Sequence, residues 1–255
     1  MLKYTAQAAR IADRILRRLT VILAILFLLY GAYSLWETHS LYTNAFVSDE
    51  LLAYKPPVQQ EAKPTLTALQ EKNPDVCGWL TIDDTHIDYP FVQGKDDLEY
   101  LNLDVFREFA FSGSIFLSEK NSRSCDEPLV IVYGHHMENG AMFGDVLRFT
   151  EADYFESHQS GWLQLPERTD YIRIFACVKA DASDPVIYRG VGDETMRQEY
   201  IRTKAVQYRD IGLQPGDRLI ALSTCATADT NGRVLLFGRL EPKTDLETGR
   251  RSEKP

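Results

Sequence analysis

The 255-residue sequence predicts a mainly β protein: a closed β-barrel of seven to eight strands with helical insertions, preceded by an N-terminal transmembrane helix. Two observations lead to this prediction. One uncharged apolar run lies near the N-terminus, and short apolar segments bounded by turn residues begin after Asp75. The formal net charge of −9 argues against a nucleic-acid partner, because phosphate neutralisation requires clustered Lys and Arg.

The apolar run at residues 20–36 is the predicted membrane anchor, at the short end of the roughly 17–25 residues that cross a bilayer as a helix. Arginines precede it, and no Lys or Arg follows it before Lys55. The positive-inside bias therefore predicts a cytoplasmic N-terminus and an extracellular remainder. A cleaved signal peptide and a buried core helix are the alternatives, but the length of the run and its apolar character all round favour an uncleaved anchor.

Residues 37–54 are predicted to continue as an amphipathic helix up to Lys55-Pro56-Pro57, and a short helix is expected at residues 65–72. These pieces read as a stalk. The predicted organisation is a basic cytoplasmic N-terminus, the anchor, a helical stalk or linker, the folded domain and a disordered polar tail, at residues 1–19, 20–36, 37–64, 65–241 and 242–255.

Seven apolar segments within the folded domain read as strands, at residues 78–82, 86–92, 113–117, 129–133, 171–178, 218–224 and 233–240. Their number and shortness favour a closed barrel or a sandwich. Two helical insertions are predicted, one at residues 143–149 with a short turn near Tyr154, and a longer one at residues 193–209. The apolar stripe of the longer helix should pack on the barrel: Met196, Tyr200, Ile201, Ala205 and Tyr208.

Cys225 ends one predicted strand and precedes a polar loop, which makes it a candidate nucleophile exposed at the lip of a sheet. Burial is the usual fate of a lone cysteine, but here Ser223 and Thr224 precede it and a polar loop follows. Arg233 returns the chain into the next strand. Its permanent charge suits an oxyanion, whereas a surface salt bridge with Asp229 or another acid is the structural alternative.

His135 follows another strand end and is the candidate acid and base, one residue before His136. Neighbouring side chains on an extended segment point to opposite sides, so only one of the pair should face Cys225. A metal site is weakly supported, because no carboxylate or cysteine stands at a suitable spacing from the two histidines.

The three remaining cysteines form no C-x-x-C pair, which argues against zinc and thioredoxin-type sites. Cys177 lies in an apolar run and should be a small core residue. Cys77 and Cys125 could pair in an oxidising compartment, but two free thiols are the simpler expectation.

The residues that carry these predictions resemble the sortases. The resemblance lies in Tyr133-Gly134-His135-His136-Met137, in Leu222-Ser223-Thr224-Cys225 and in Arg233 after the following loop. The chain from about residue 65 to residue 240 is similar to class B of that family. Val76-Cys77-Gly78-Trp79-Leu80, Gly113-Ser114-Ile115-Phe116-Leu117 and the long helical insertion support that class.

The resemblance implies a sortase-type barrel and a cysteine transpeptidase of Gram-positive cell surfaces that needs no cofactor. It would cleave a C-terminal sorting motif of surface proteins after Thr and join the acyl group to an amine of a peptidoglycan precursor or a pilin. Cys225 would be the nucleophile, His135 the acid and base, and Arg233 the oxyanion ligand. The residues matching the substrate groove are Ser223, Thr224, Tyr133 and Leu101.

One departure concerns the residues after the cysteine, where some class B members have acids and this chain has Ala226 and Thr227. No acidic partner for His135 is therefore evident there. A cysteine peptidase with the same residues and a non-catalytic peptide-binding barrel are the alternative functions.

Overall fold

The computed structural model of the protein describes residues 2–57, 63–225 and 231–243, and divides the chain into two compact units between Thr43 and Asn44. The first unit consists of helix α1 (Leu2–Asn44) up to Thr43. Its segment Ala12–Thr38 contains an 18-residue window with a mean hydropathy of 2.1 and is long and apolar enough to cross a membrane, which is compatible with a single-pass anchor.

The predicted helix at residues 37–54 is wrong in its second half. α1 ends at Asn44, and a separate short helix, α2 (Asp49–Leu52), begins after Ser48, whose side chain accepts a hydrogen bond from the Leu51 amide. Ala45, between the two helices, is buried in the core of the second unit. Burial of this segment takes precedence over its helical periodicity.

The second unit is a mainly β fold with nine strands among its described residues. The strands are β1 (Val76–Ile82), β2 (Asp88–Val92), β3 (Ile115–Leu117), β4 (Leu129–Tyr133), β5 (Ser160–Gln164), β6 (Thr169–Asp181), β7 (Ala205–Tyr208), β8 (Arg218–Cys225) and β9 (Gly232–Pro242). Their order is β5-β1-β2-β3-β4-β8-β9-β6-β7, and β5 also pairs with β6. That pairing closes an eight-stranded barrel and leaves β7 as an extra strand, so the predicted closed barrel is confirmed.

Helices cover the barrel and fill its connections. They are α3 (Lys63–Lys72), α4 (Ala152–Ser157), α5 (Pro185–Tyr188) and α6 (Glu194–Lys204), with 3₁₀ helices at Glu99–Leu101 and Gly144–Thr150. The insertion near residue 144 and the turn near Tyr154 are thus helical as predicted.

Two predictions about the second unit are wrong. Strand β5 is missing from the predicted set of strands. The helix expected at residues 193–209 ends at Lys204, because Ala205 turns to extended geometry and the following residues pair with β6 as β7. Within the predicted stripe Ile201 is fully buried, but Met196 is 47% exposed.

The core follows from strand alternation. One hydrophobic cluster takes residues from each of the eight barrel strands and fills the interior, including Phe91, Val132 and Leu222. A second cluster joins the outer faces of β4, β6, β8 and β9 to Ile187 of α5 and Ile201 of α6. Helices α5 and α6 are therefore held against the outer face of the strands that carry the predicted site.

Candidate active site

Strands β8 and β9 bring the predicted nucleophile and the predicted cation together. They run antiparallel, and Cys225 at the end of β8 is the register partner of Arg233 at the start of β9. On its other side Arg233 is paired with Ala180 of β6. Cys225 and Arg233 are eight positions apart in the sequence, and the connection at residues 226–231 places them opposite each other. Residues 226–230 of this connection lie outside the described residues.

Strands β4 and β8 bring His135 to the same edge of the sheet. They run parallel with Tyr133 beside Ser223, and the Gly134 amide donates to the Ser223 carbonyl at 3.2 Å. His135 lies two residues beyond Tyr133, and Cys225 lies two residues beyond Ser223. Because parallel strands end at the same edge, the backbone gathers all three predicted catalytic positions there.

His135 is half-buried, and within the described part of the chain its ring is anchored by a backbone group rather than by a carboxylate. Its Nε2 lies 2.9 Å from the carbonyl oxygen of Leu101, and the Phe143 amide donates to the His135 carbonyl at 3.0 Å. A carbonyl oxygen can only accept, so Nε2 carries the hydrogen in this contact and Nδ1 remains for proton transfer.

The neighbouring histidine has different surroundings. His136 forms an isolated antiparallel bridge with Met142, and its Nδ1 is buried with no hydrogen-bond partner among the described residues. The described part of the chain also contains no cluster of three or more His, Cys, Asp or Glu side chains that could hold a metal ion.

Ser223 and Thr224 lie on opposite faces of β8. The Ser223 hydroxyl is buried at the outer face, 2.8 Å from the hydroxyl of Tyr188 in α5. Thr224 alternates with it and shares the interior face with Leu222, and no described residue partners its buried hydroxyl. The two predicted substrate-binding side chains therefore do not line one surface.

Tyr133 lies between the barrel and α5. Its ring contacts Phe116 with centroids 5.3 Å apart and stacks on Tyr188 at 6.3 Å, with 16° between the planes. Burial raises the pKa of its hydroxyl well above the ordinary value, so this group is protonated at neutral pH. Tyr133 thus contributes an apolar face and a neutral hydroxyl beside the strand ends.

Arg233 is half-buried and donates from Nη1 to the Gly232 carbonyl at 3.2 Å. No carboxylate among residues 63–225 and 231–243 lies within ion-pair distance of it, whereas Asp229, the alternative partner predicted from the sequence, lies outside the described residues. Hydrogen bonds from Ser183 lower the pKa of Asp181 below its usual range, and the positive charge of Arg233 makes a smaller contribution in the same direction.

The other three cysteines are chemically unlike a nucleophile. Each is buried as a free thiol, and burial raises the pKa to about 12 in every case: Cys77, Cys125 and Cys177. The prediction that Cys177 is a core residue is confirmed.

Sequence reasoning misses two contacts of the site, the Leu101 carbonyl on His135 and the Tyr188 hydroxyl on Ser223. The second has a partial signature. Asp184 followed by Pro185 is typical of a helix start, and the Asp184 carboxylate accepts from the Val186 and Ile187 amides at 3.0 Å. That pattern predicts the start of α5, but it does not predict that Tyr188 of this helix contacts Ser223 of β8.

Comparison with known proteins gives a consistent set of relatives, although no family model matches the sequence. The chain is 32% identical to sortase B of Listeria monocytogenes over 191 residues, 73% of this chain and 78% of that protein. A class B sortase of Streptococcus pyogenes involved in pilus biogenesis superimposes with a TM-score of 0.64 at 36% identity, covering 69% of this chain and 97% of the other. A Staphylococcus aureus sortase B–substrate complex gives 0.68 at 26% identity, covering 72% and 88%.

Proposed function

The chain belongs to the class B sortases, which are cysteine transpeptidases, and from this premise we propose that it anchors surface proteins at the outer side of a Gram-positive membrane. It would cleave a C-terminal sorting motif after Thr and pass the acyl group to an amine of a peptidoglycan precursor or a pilin. The observation that carries the proposal is the backbone register that gathers Cys225, Arg233 and His135 at one sheet edge.

The proposed reaction begins as Nδ1 of His135 takes the proton of the Cys225 thiol, and the resulting thiolate attacks the Thr carbonyl carbon and forms a carbon–sulfur bond. The carbonyl oxygen becomes an oxyanion, and the Arg233 guanidinium stabilises it across the strand pair. The carbon–nitrogen bond then breaks as His135 gives its proton to the leaving amine through Nδ1, which leaves a thioester.

The second half returns the enzyme to its starting state. An acceptor amine attacks the thioester carbonyl, His135 takes the proton of that amine, and the carbon–sulfur bond breaks to release the Cys225 thiolate, which takes the proton back from Nδ1. Water in place of the amine would give slow hydrolysis. In this proposal Cys225, His135 and Arg233 carry out each of these steps. The Leu101 carbonyl accepts from Nε2–H of His135, which supports the tautomer with Nδ1 available for proton transfer.

The membrane topology belongs to the same proposal. The apolar segment of α1 would anchor the enzyme with its N-terminus in the cytoplasm and the barrel outside, where a sorting signal and a wall or pilin amine are both available. The extracellular side of this topology can be tested on intact cells by labelling with a membrane-impermeant reagent.

Product analysis tests the proposed activity. The full-length enzyme in detergent is incubated with a library of sorting-signal peptides, with and without triglycine or hydroxylamine. We expect amide or hydroxamate products whose acyl fragment ends in Thr, and loss of all products in Cys225→Ala. Hydrolysis that the added amines do not divert would favour a peptidase, and an absence of turnover together with peptide binding would favour the non-catalytic barrel.

A further inference from the structure

The Leu101 carbonyl that holds His135 lies in a tightly packed place. Leu101 is the last residue of the 3₁₀ helix Glu99–Leu101, and the chain around Gly113 packs against its carbonyl group. The Ser114 amide donates to the Tyr100 carbonyl at 3.1 Å, one residue before the carbonyl that receives His135. The two chain segments are thus fixed against each other by their backbones.

Gly113 is the residue at the point of closest approach. It has a φ of +57°, in the left-handed region, and its amide donates to the Ala110 carbonyl at 3.0 Å. A Cβ built on it would lie 2.7 Å from the Tyr100 oxygen and 2.8 Å from the Leu101 carbonyl carbon, and nearer still to the Leu101 oxygen. All of these atoms are backbone, so no side chain can move aside to make room.

From this geometry we infer that Gly113 is a positioning residue for the catalytic histidine. Because it has no side chain, the Leu101 carbonyl can lie where it accepts a hydrogen bond from Nε2–H of His135, and we call this carbonyl the seat of His135. The inference rests on the proposed role of His135. The seat does for this enzyme what a carboxylate does for a histidine elsewhere, since it selects the tautomer with Nδ1 free. This carbonyl also explains how His135 is oriented although the chain has Ala226 and Thr227, and no acid, directly after Cys225.

The test compares Gly113→Ala with Gly212→Ala. Gly212 has a similar φ of +66°, and a Cβ added to it would meet no atom within 4 Å. It lies in the loop before β8, whereas Cys225 lies at the other end of that strand. Both variants carry the strain of a left-handed alanine, but only the first displaces the Leu101 carbonyl. We expect kcat for transpeptidation to fall about 100-fold in Gly113→Ala, the loss typical of a misplaced catalytic group, and to stay within about twofold in Gly212→Ala.

A spectroscopic measurement separates positioning from a general loss of structure. Two-bond proton–nitrogen correlation spectra of the full-length protein in micelles, labelled at histidine and assigned with His135→Gln, report the ring tautomer. We expect Nε2–H at His135 in the wild type and in Gly212→Ala, and a mixture of tautomers in Gly113→Ala.

An unchanged tautomer or an unchanged kcat in Gly113→Ala overturns the inference. A wild-type ring that carries its hydrogen on Nδ1 also overturns it, and this measurement can still be made if Gly113→Ala fails to fold. Failure of the proposed function has a different appearance, because the wild type would then give no transpeptidation product, or His135→Gln would retain the activity, while the wild-type ring still carried its hydrogen on Nε2.

Discussion

The hydrogen bond between Tyr188 and Ser223 offers a measurable link between the outer helix and the strand of the nucleophile. The hydroxyls are 2.8 Å apart, and Ser223 is 1% exposed. Tyr188→Phe leaves the Ser223 hydroxyl buried without this partner, which costs about 1–3 kcal/mol. Each kcal/mol lowers the melting temperature of a domain of roughly 150–250 residues by about 2–4 °C, so we expect a fall of about 2–12 °C.

The same loss should reach the reaction, because Ser223 lies two residues before Cys225 on β8. Only the part of this cost that is larger in the acylation transition state than in the free enzyme lowers kcat/KM, so a roughly 150-fold fall is the upper limit. Stability is measured by thermal unfolding followed by circular dichroism, and acylation by release of the leaving peptide, in Tyr188→Phe, Ser223→Ala and the double variant.

The matched control is Tyr154→Phe. The Tyr154 hydroxyl is buried with no partner among the described residues, so its removal should leave stability and rate unchanged or slightly improved. A coupling energy of about 0.5–3 kcal/mol between Tyr188 and Ser223 supports the reasoning. Additive effects of the two single changes, within about 0.5 kcal/mol, would refute it.

Two further predictions follow from burial. At pH 8 a thiol reagent should modify one cysteine of the folded protein quickly, Cys225, and four after denaturation, because burial raises the pKa to about 12 in Cys77, Cys125 and Cys177; a second fast thiol would contradict this. Asp170 is fully buried, accepts a hydrogen bond from Arg168 at 2.9 Å and forms an ion pair with Arg218 at 3.0 Å. Asp170→Asn should cost about 3–5 kcal/mol in chemical denaturation, and a loss below about 1 kcal/mol would contradict the charge pairing.

The sequence is informative about the fold where strands carry long apolar runs. β4, β8 and β9 have such runs because their residues are buried on both faces, in the interior and beneath α5 and α6. β5 is missing from the predicted strands because Trp162 and Leu163 are its only large apolar residues and it contains Gly161, whose Cβ would meet the Thr81 carbonyl of the neighbouring strand. The close strand pairing that requires glycine there also removes the apolar pattern.

The end of α6 shows a second limit of sequence reasoning. Residues 193–209 keep a helical apolar period, yet Ala205–Tyr208 pairs with Ala176–Val178 of β6. Val206 and Tyr208 are good strand formers, so local propensity already competes with periodicity there. Pairing with a strand far away in the sequence decides the outcome.

The candidate site could be predicted in part, because strand ends are readable and Cys225, His135 and Arg233 each stand at one. The seat of His135 could not, because it is a main-chain carbonyl delivered by a loop more than thirty residues earlier. A main-chain carbonyl can come from any residue type, so the sequence does not identify it. The glycine at position 113 is the one sequence feature tied to it, because a side chain there would clash with the Leu101 carbonyl.

A thioester at Cys225 can be observed by intact-mass analysis of the enzyme quenched during turnover of a sorting-signal peptide. We expect an adduct equal to the acyl fragment that ends in Thr, located on Cys225 by fragmentation and discharged by added triglycine. The adduct should be absent in Cys225→Ala and should form far more slowly in His135→Gln. Turnover without an adduct in the wild type, or an adduct on another residue, would contradict a thioester at Cys225.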